Sequence, residues 1–129
     1  MKLRVKITKE VLETTKMCGI KGFMLKGSEY ISSTHNCAIT YACRKLFPNC
    51  YTVSSGIYMI NKYDELITIA DLPASASRFI RKFDKAIPEQ RVKMKPFEFE
   101  IELTKGALDL ITIDEITKVL ETSTTLEIA

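Results

Sequence analysis

The chain is poor in the residues that most enzymes and metal sites depend on. Its 129 residues hold a single histidine, His35, so neither a zinc site rich in imidazole nor a second histidine for a nucleophile–base arrangement is available. The four cysteines, Cys18, Cys37, Cys43 and Cys50, form no CxxC pair, and a chain of this length in a reducing compartment needs no disulfide staples. Free thiols, with no metal and no cofactor, are the expectation. The five glycines are not arranged as a Walker or dinucleotide loop, which would place successive backbone N–H groups around a phosphate. No apolar run approaches the roughly 18 residues that span a bilayer, and Met1 leads into a charged strand pattern instead of an apolar signal core. This predicts a cytoplasmic protein without membrane contact.

What is present is the composition of an ordinary folding domain, 46% hydrophobic and 27% charged, with no low-complexity stretch. A domain of this size buries roughly two thirds of the surface its unfolded chain exposes. The net charge of +3 is unevenly placed: residues 1–104 carry 17 Lys and Arg against 11 Asp and Glu, and residues 105–129 carry 2 against 5. The split suggests a core domain over 1–104 and a C-terminal arm over 105–129 that serves packing or oligomerisation, with a homo-oligomer expected.

Strand and helix periods give the architecture. "KLRVKI" (2–7) alternates Lys2, Arg4 and Lys6 with Leu3, Val5 and Ile7, and "FEFEIEL" (97–103) alternates Glu98, Glu100 and Glu102 with apolar residues. Laid side by side, the two strands set cations against carboxylates on one face and point their apolar sides into the core. The opposed charges set register, since a slip of one residue would turn every side chain to the wrong face. Thr8 caps a short helix that stops before Gly19, and 18–31 predicts a loop or hairpin with "GFML" as a short strand. "SSTHNCAITYACRKLFP" (32–48) predicts a helix capped by Ser33 or Thr34 and stopped by Pro48, with Ile39, Ala42, Cys43, Leu46 and Phe47 facing inward. Segments 50–55, 57–60 and 65–70 predict an antiparallel meander. A second helix, capped by Asp71 with Pro73 in its first turn, runs to about Ala86 with Ala76, Phe79, Ile80 and Phe83 inward. Asp114 is the expected cap of a short helix in the tail. The expected fold is therefore α+β: an antiparallel sheet of four or five strands, two main helices on one face, and a C-terminal arm.

Three clusters invite a functional reading. Arg78, Arg81, Lys82 and Lys85 fall at i, i+3, i+4 and i+7, gathering four cations on one helix face, with Arg91, Lys93 and Lys95 following. Such a face suits phosphates, and arginine supplies bidentate geometry; Arg44 and Tyr41 are further candidates for the same anion site, the tyrosine as a stacking surface. Cys37 at a helix start, with His35 nearby, could serve as a nucleophile, but residues at i and i+2 do not face each other on a helix, and a buried structural cysteine is the favoured reading. Glu98, Glu100 and Glu102 are already accounted for by the strand pairing and leave no carboxylate pair for acid–base work. Binding is therefore favoured over catalysis.

The stretches "NCAITYACRKLFPNCYTV", "LPASASRFIRKFDKA" and "VKMKPFEFEIEL" together resemble a group of small proteins of bacterial viruses and prophages. That group shares a Cys-initiated, Ala-rich helix, a Leu-Pro…Phe-Ile-Arg-x-Phe-Asp helix and a final Pro-Phe-x-Phe strand. The resemblance spans about residues 2–103; Ala38 stands where those proteins have proline, and the tail beyond Leu103 has no counterpart. It implies a viral accessory protein acting inside a bacterial host, with no catalytic role attached. The expected function is sequestration of a small anionic, nucleotide-like ligand to counter host defence. The alternatives are a nucleic-acid-binding module and a structural or inhibitory protein working through protein contacts.

Overall fold

The computed structural model describes residues 1–19 and 37–129. The expected "GFML" strand, the Ser33 and Thr34 caps and His35 lie outside the described residues. Strand β1 (Lys2–Ile7) is the centre of one sheet. It pairs antiparallel with β5 (Phe97–Glu102) in the register the charge pattern predicts, Lys2 opposite Glu102, Arg4 opposite Glu100 and Lys6 opposite Glu98. Its other edge takes β6 (Leu126–Ile128), with Arg4 opposite Glu127. Leu3, Val5, Ile7, Phe99, Ile101, Leu103 and Leu126 are buried on the inner face. The second sheet is the meander β2 (Tyr51–Val53), β3 (Gly56–Ile60) and β4 (Leu66–Asp71), in the order β2-β3-β4.

The fold is thus α+β, but with two three-stranded antiparallel sheets in place of one sheet of four or five strands. The physical reason lies at the edges. Both sides of β1 are occupied, and β4 approaches β5 only where the chain leaves it: the Thr104 N–H donates to the Ile69 carbonyl at 3.0 Å, and the Thr104 hydroxyl donates to the Thr68 carbonyl. No ladder develops beyond that corner.

Among the described residues there are six helices. Helix α1 (Lys9–Thr15) is capped as predicted by Thr8, whose hydroxyl accepts from the Val11 N–H at 3.1 Å. Gly19, with φ of 76°, then takes the left-handed conformation that glycine adopts without a Cβ penalty. Helix α2 (Ala38–Cys43) begins later than expected, because Cys37 in extended backbone is its cap, its sulfur accepting from the Thr40 N–H at 3.5 Å. It also ends earlier: Leu46 and Phe47 stay buried, but in turns that hydrogen-bond back to the Cys43 carbonyl. Helix α3 (Ala74–Lys85) buries Ala76, Phe79, Ile80 and Phe83 as predicted. Its cap is Pro73, not Asp71, because β4 continues through Asp71 to pair with Gly56. Helix α4 (Pro88–Arg91) is one turn.

The C-terminal stretch folds back on the same chain. Thr104 caps α5 (Lys105–Leu110), which lies along β4. Thr112, not Asp114, caps α6 (Ile113–Leu120), accepting from the Glu115 N–H at 3.1 Å, so Asp114 instead places its charge in the positive first turn. Ala107, Ile116 and Leu126 are buried, while Leu110, Ile113 and Ile128 remain exposed. No helix among the described residues is long and apolar enough to cross a membrane.

Candidate functional site

Two groups of cations face solvent, and they differ in what surrounds them. On the outer face of the β5-β1-β6 sheet, the strand cations stand beside charges of opposite sign. Arg4 lies 3.8 Å from both Glu98 and Glu100 and donates to Glu127 at 2.7 Å, and Lys6 meets the other Glu127 oxygen at 2.8 Å. The N-terminal ammonium meets Glu102 at 3.1 Å. Hydrogen bonds from Lys6 and Arg4 hold the Glu127 carboxyl below its ordinary pKa, and the bond to Glu127 raises that of Arg4. This face is closed to an external anion by its own carboxylates.

Helix α3 is the opposite case. Its apolar residues turn inward, where the Phe79 ring lies 4.6 Å from Phe97 and 5.6 Å from Phe83. Arg78, Arg81, Lys82 and Lys85 consequently project outward and are exposed. Among the described residues none of the four forms an ion pair or side-chain hydrogen bond. Their spacing makes four like-charged i,i+3 or i,i+4 neighbours along about 10 Å of helix. Each such neighbour destabilises by roughly 0.2–0.5 kcal/mol. Lys82 and Lys85 recover part of this in the last turn, where the helix dipole favours cations. Arg78 and Arg81 have no such compensation. The single acid of the helix, Asp84, interacts with Arg91; burial raises its carboxyl pKa and Arg91 opposes that rise.

The other predicted site residues separate from this stripe. Tyr41 and Arg44 are half-buried at the end of α2, whose principal neighbours are β1, α1 and β2. Arg91, expected to extend the stripe, is buried with 3% of its surface exposed. Its Nε donates to the Phe83 carbonyl at 2.9 Å and its Nη1 to the carbonyls of Lys16 and Cys18, both at 2.8 Å. The guanidinium also stacks on the Phe83 ring at 4.3 Å. It ties the end of α1 to the end of α3 and is a structural residue. Lys93 and Lys95 remain exposed.

The cysteines carry no reactive thiolate. All four are free and buried. Burial raises the Cys37 thiol even though the Thr40 hydroxyl and N–H favour its charged form, raises Cys43 well above its ordinary value, and pushes Cys18 and Cys50 up to about 12. Cys37 is thus the buried structural cysteine that the sequence favours, a helix cap packed in the core; His35, the base of the alternative nucleophile reading, lies outside the described residues. No cluster of three or more metal-ligating side chains occurs among the described residues.

Among the described residues a surface depression with a volume of about 420 Å3 is lined by Lys6, Ile7, Thr8, Lys9, Pro96, Phe97 and Glu98, none of them on α3. Sequence reading missed it, because Phe97 registers there only as the first inward residue of a strand. Comparison with protein-family models, with curated protein sequences and with solved structures gives no match. Function therefore has to be argued from the sites themselves.

Proposed function

We propose that the protein is a non-catalytic accessory protein that holds a small anionic, nucleotide-like ligand on the outer face of α3. The observation that carries this reading is the contrast between the two charged faces. The strand cations Arg4 and Lys6 are matched by carboxylates of the same sheet, whereas Arg78, Arg81, Lys82 and Lys85 stand without partners among the described residues. A bound phosphate would relieve their mutual repulsion and take bidentate hydrogen bonds from the arginines. A binding role without turnover is supported by the burial of Cys37, the one nucleophile the sequence suggested. The resemblance to viral and prophage proteins supports sequestration of a signalling nucleotide as the purpose of that binding.

The test is thermal unfolding of the full chain with ATP or inorganic tripolyphosphate, together with chromatography of the nucleotide after incubation. A rise in melting temperature with the nucleotide recovered intact is expected. Conversion of the nucleotide to product would contradict a binding role. The same stripe on a nucleic-acid-binding module would instead give tight binding to long oligonucleotides, with affinity falling steeply as salt rises.

A further inference from the structure

We infer that the tip of the β3–β4 hairpin is a contact surface for a second copy of this chain, separate from the α3 anion site. Across the hairpin Ile60 stands opposite Leu66, so both side chains leave the sheet on the same face. The next pair in, Met59 and Ile67, points the other way and packs against the core, with Gly106 of α5 lying against the Ile67 side chain. Ile60 and Leu66 are consequently turned to solvent, with 53% and 59% of their surface exposed, and Tyr63 in the turn between them is 70% exposed. The solvated face of an antiparallel sheet is ordinarily polar. Three large apolar side chains gathered at one tip mark a surface that meets a partner.

The tip is held in one shape. The Asn61 side-chain oxygen accepts from the N–H groups of Tyr63 at 2.9 Å and Glu65 at 3.0 Å, and its amide donates to the Glu65 carboxylate at 3.1 Å. Asp64, whose N–H donates to the Asn61 carbonyl at 3.1 Å, takes the left-handed conformation with φ of 60°, which aspartate tolerates better than most residues. A surface fixed before it meets its partner loses little entropy on docking.

Charge selects the occupant. Lys62 and Asp64 flank Tyr63, and among the described residues neither forms an ion pair; Lys62 only stands over the Tyr63 ring, 5.1 Å from its centroid. A two-fold axis passing between the two Tyr63 rings sets Lys62 of one protomer opposite the partner's Asp64, and the reverse, while the apolar side chains of the two tips cover one another. One patch thus supplies both halves of the contact, an apolar centre and a rim of opposite charges in matching order. It falls well short of the roughly 20–30 residues a side of a standard interface, so the association is weak and depends on concentration.

The experiment is sedimentation equilibrium of the full chain from about 1 μM to about 1 mM, on wild type, Tyr63→Ser, Lys62→Glu, Asp64→Lys and an equimolar mixture of the last two. The wild type should approach twice the monomer mass as concentration rises, and Tyr63→Ser should stay monomeric where the wild type pairs. Each charge variant alone sets like charges together at both contacts and should pair about tenfold more weakly. The mixture restores opposite charges at both contacts and should pair as the wild type does. Should Asp64→Lys fail to fold at its left-handed position, Asp64→Asn takes its place and should weaken pairing about threefold. A wild type that stays monomeric across the range overturns the inference and assigns the tip to a different partner. Association left unchanged by Tyr63→Ser, or a mixture that pairs no better than its components, overturns it as well. None of these outcomes bears on the α3 anion site.

Discussion

Replacing Arg91 by methionine separates a structural arginine from an anion-binding one. The side chain donates to three carbonyls on two segments, Phe83, Lys16 and Cys18, from a position that is 3% exposed. Methionine keeps much of the packed volume but offers no donor; the Phe83 carbonyl keeps its bond from the Ala86 N–H at 3.2 Å, so the carbonyls of Lys16 and Cys18 are the acceptors that lose their donor, at about 1–3 kcal/mol for each left unpaired. Removing the guanidinium also removes its desolvation cost, which places the net loss toward the lower part of the summed range, at about 3 kcal/mol. With a urea dependence of about 1–3 kcal/mol per molar for a domain of this size, the midpoint should fall by about 1–3 M at unchanged slope. Lysine in place of the arginine keeps the charge but lacks the planar fork that reaches two segments, and should lose nearly as much. Hydrogen exchange should localise the damage, with the Cys18 amide, bonded at 3.0 Å to the Thr15 carbonyl, losing protection first. An Arg91→Met variant within about 0.5 kcal/mol of wild type, against the 1–3 kcal/mol expected for even one orphaned acceptor, would refute this assignment. So would a variant that loses anion binding at full stability.

Other expectations follow from the same packing. Glu127 has its folded pKa lowered by Lys6 and Arg4, so its contribution is present above its unfolded pKa and is lost as pH falls through the folded one; Glu127→Gln should flatten the acid limb of urea midpoint against pH. The cysteine thiols have raised pKa values, about 12 for Cys18 and Cys50. Their contribution is whole below the unfolded value of roughly 8.5 and declines above it by about 1.4 kcal/mol per pH unit for each thiol that ionises only on unfolding. The native protein should accordingly react with a thiol reagent only as fast as it opens, and prompt reaction of Cys37 would contradict its burial. A Cβ on Gly56 would lie 2.9 Å from the Ala70 carbonyl oxygen, so Gly56→Ala should cost about 1–3 kcal/mol in denaturant unfolding.

The parts of the fold that were legible are those where two signals coincide. In "KLRVKI" and "FEFEIEL" the strand period and the opposite charges agree, and the predicted register is the one observed. In α3 the apolar stripe and the flanking prolines agree. The split into two sheets was not legible, since it depends on β6, three residues and too short to show a period, taking the free edge of β1. Nor was the burial of Arg91, whose acceptors include carbonyls 75 and 73 residues away in sequence. The late start of α2 escaped notice because Ser33 and Thr34 are better caps by residue type than Cys37, whose sulfur takes the capping bond. For the site, the spacing of the four α3 cations was readable; their lack of partners, and the cleft beside Phe97, required the packing.

The anion grip is tested most directly by comparing two charge-reversed proteins of equal net charge. Arg81→Glu/Lys82→Glu alters the α3 stripe, and Lys105→Glu/Lys118→Glu alters exposed lysines elsewhere. Tripolyphosphate should raise the melting temperature of the wild type and of the Lys105/Lys118 variant, and should leave the Arg81/Lys82 variant unshifted. Equal shifts in both variants would show that the helix face is an ordinary solvated surface and that no anion site is built there.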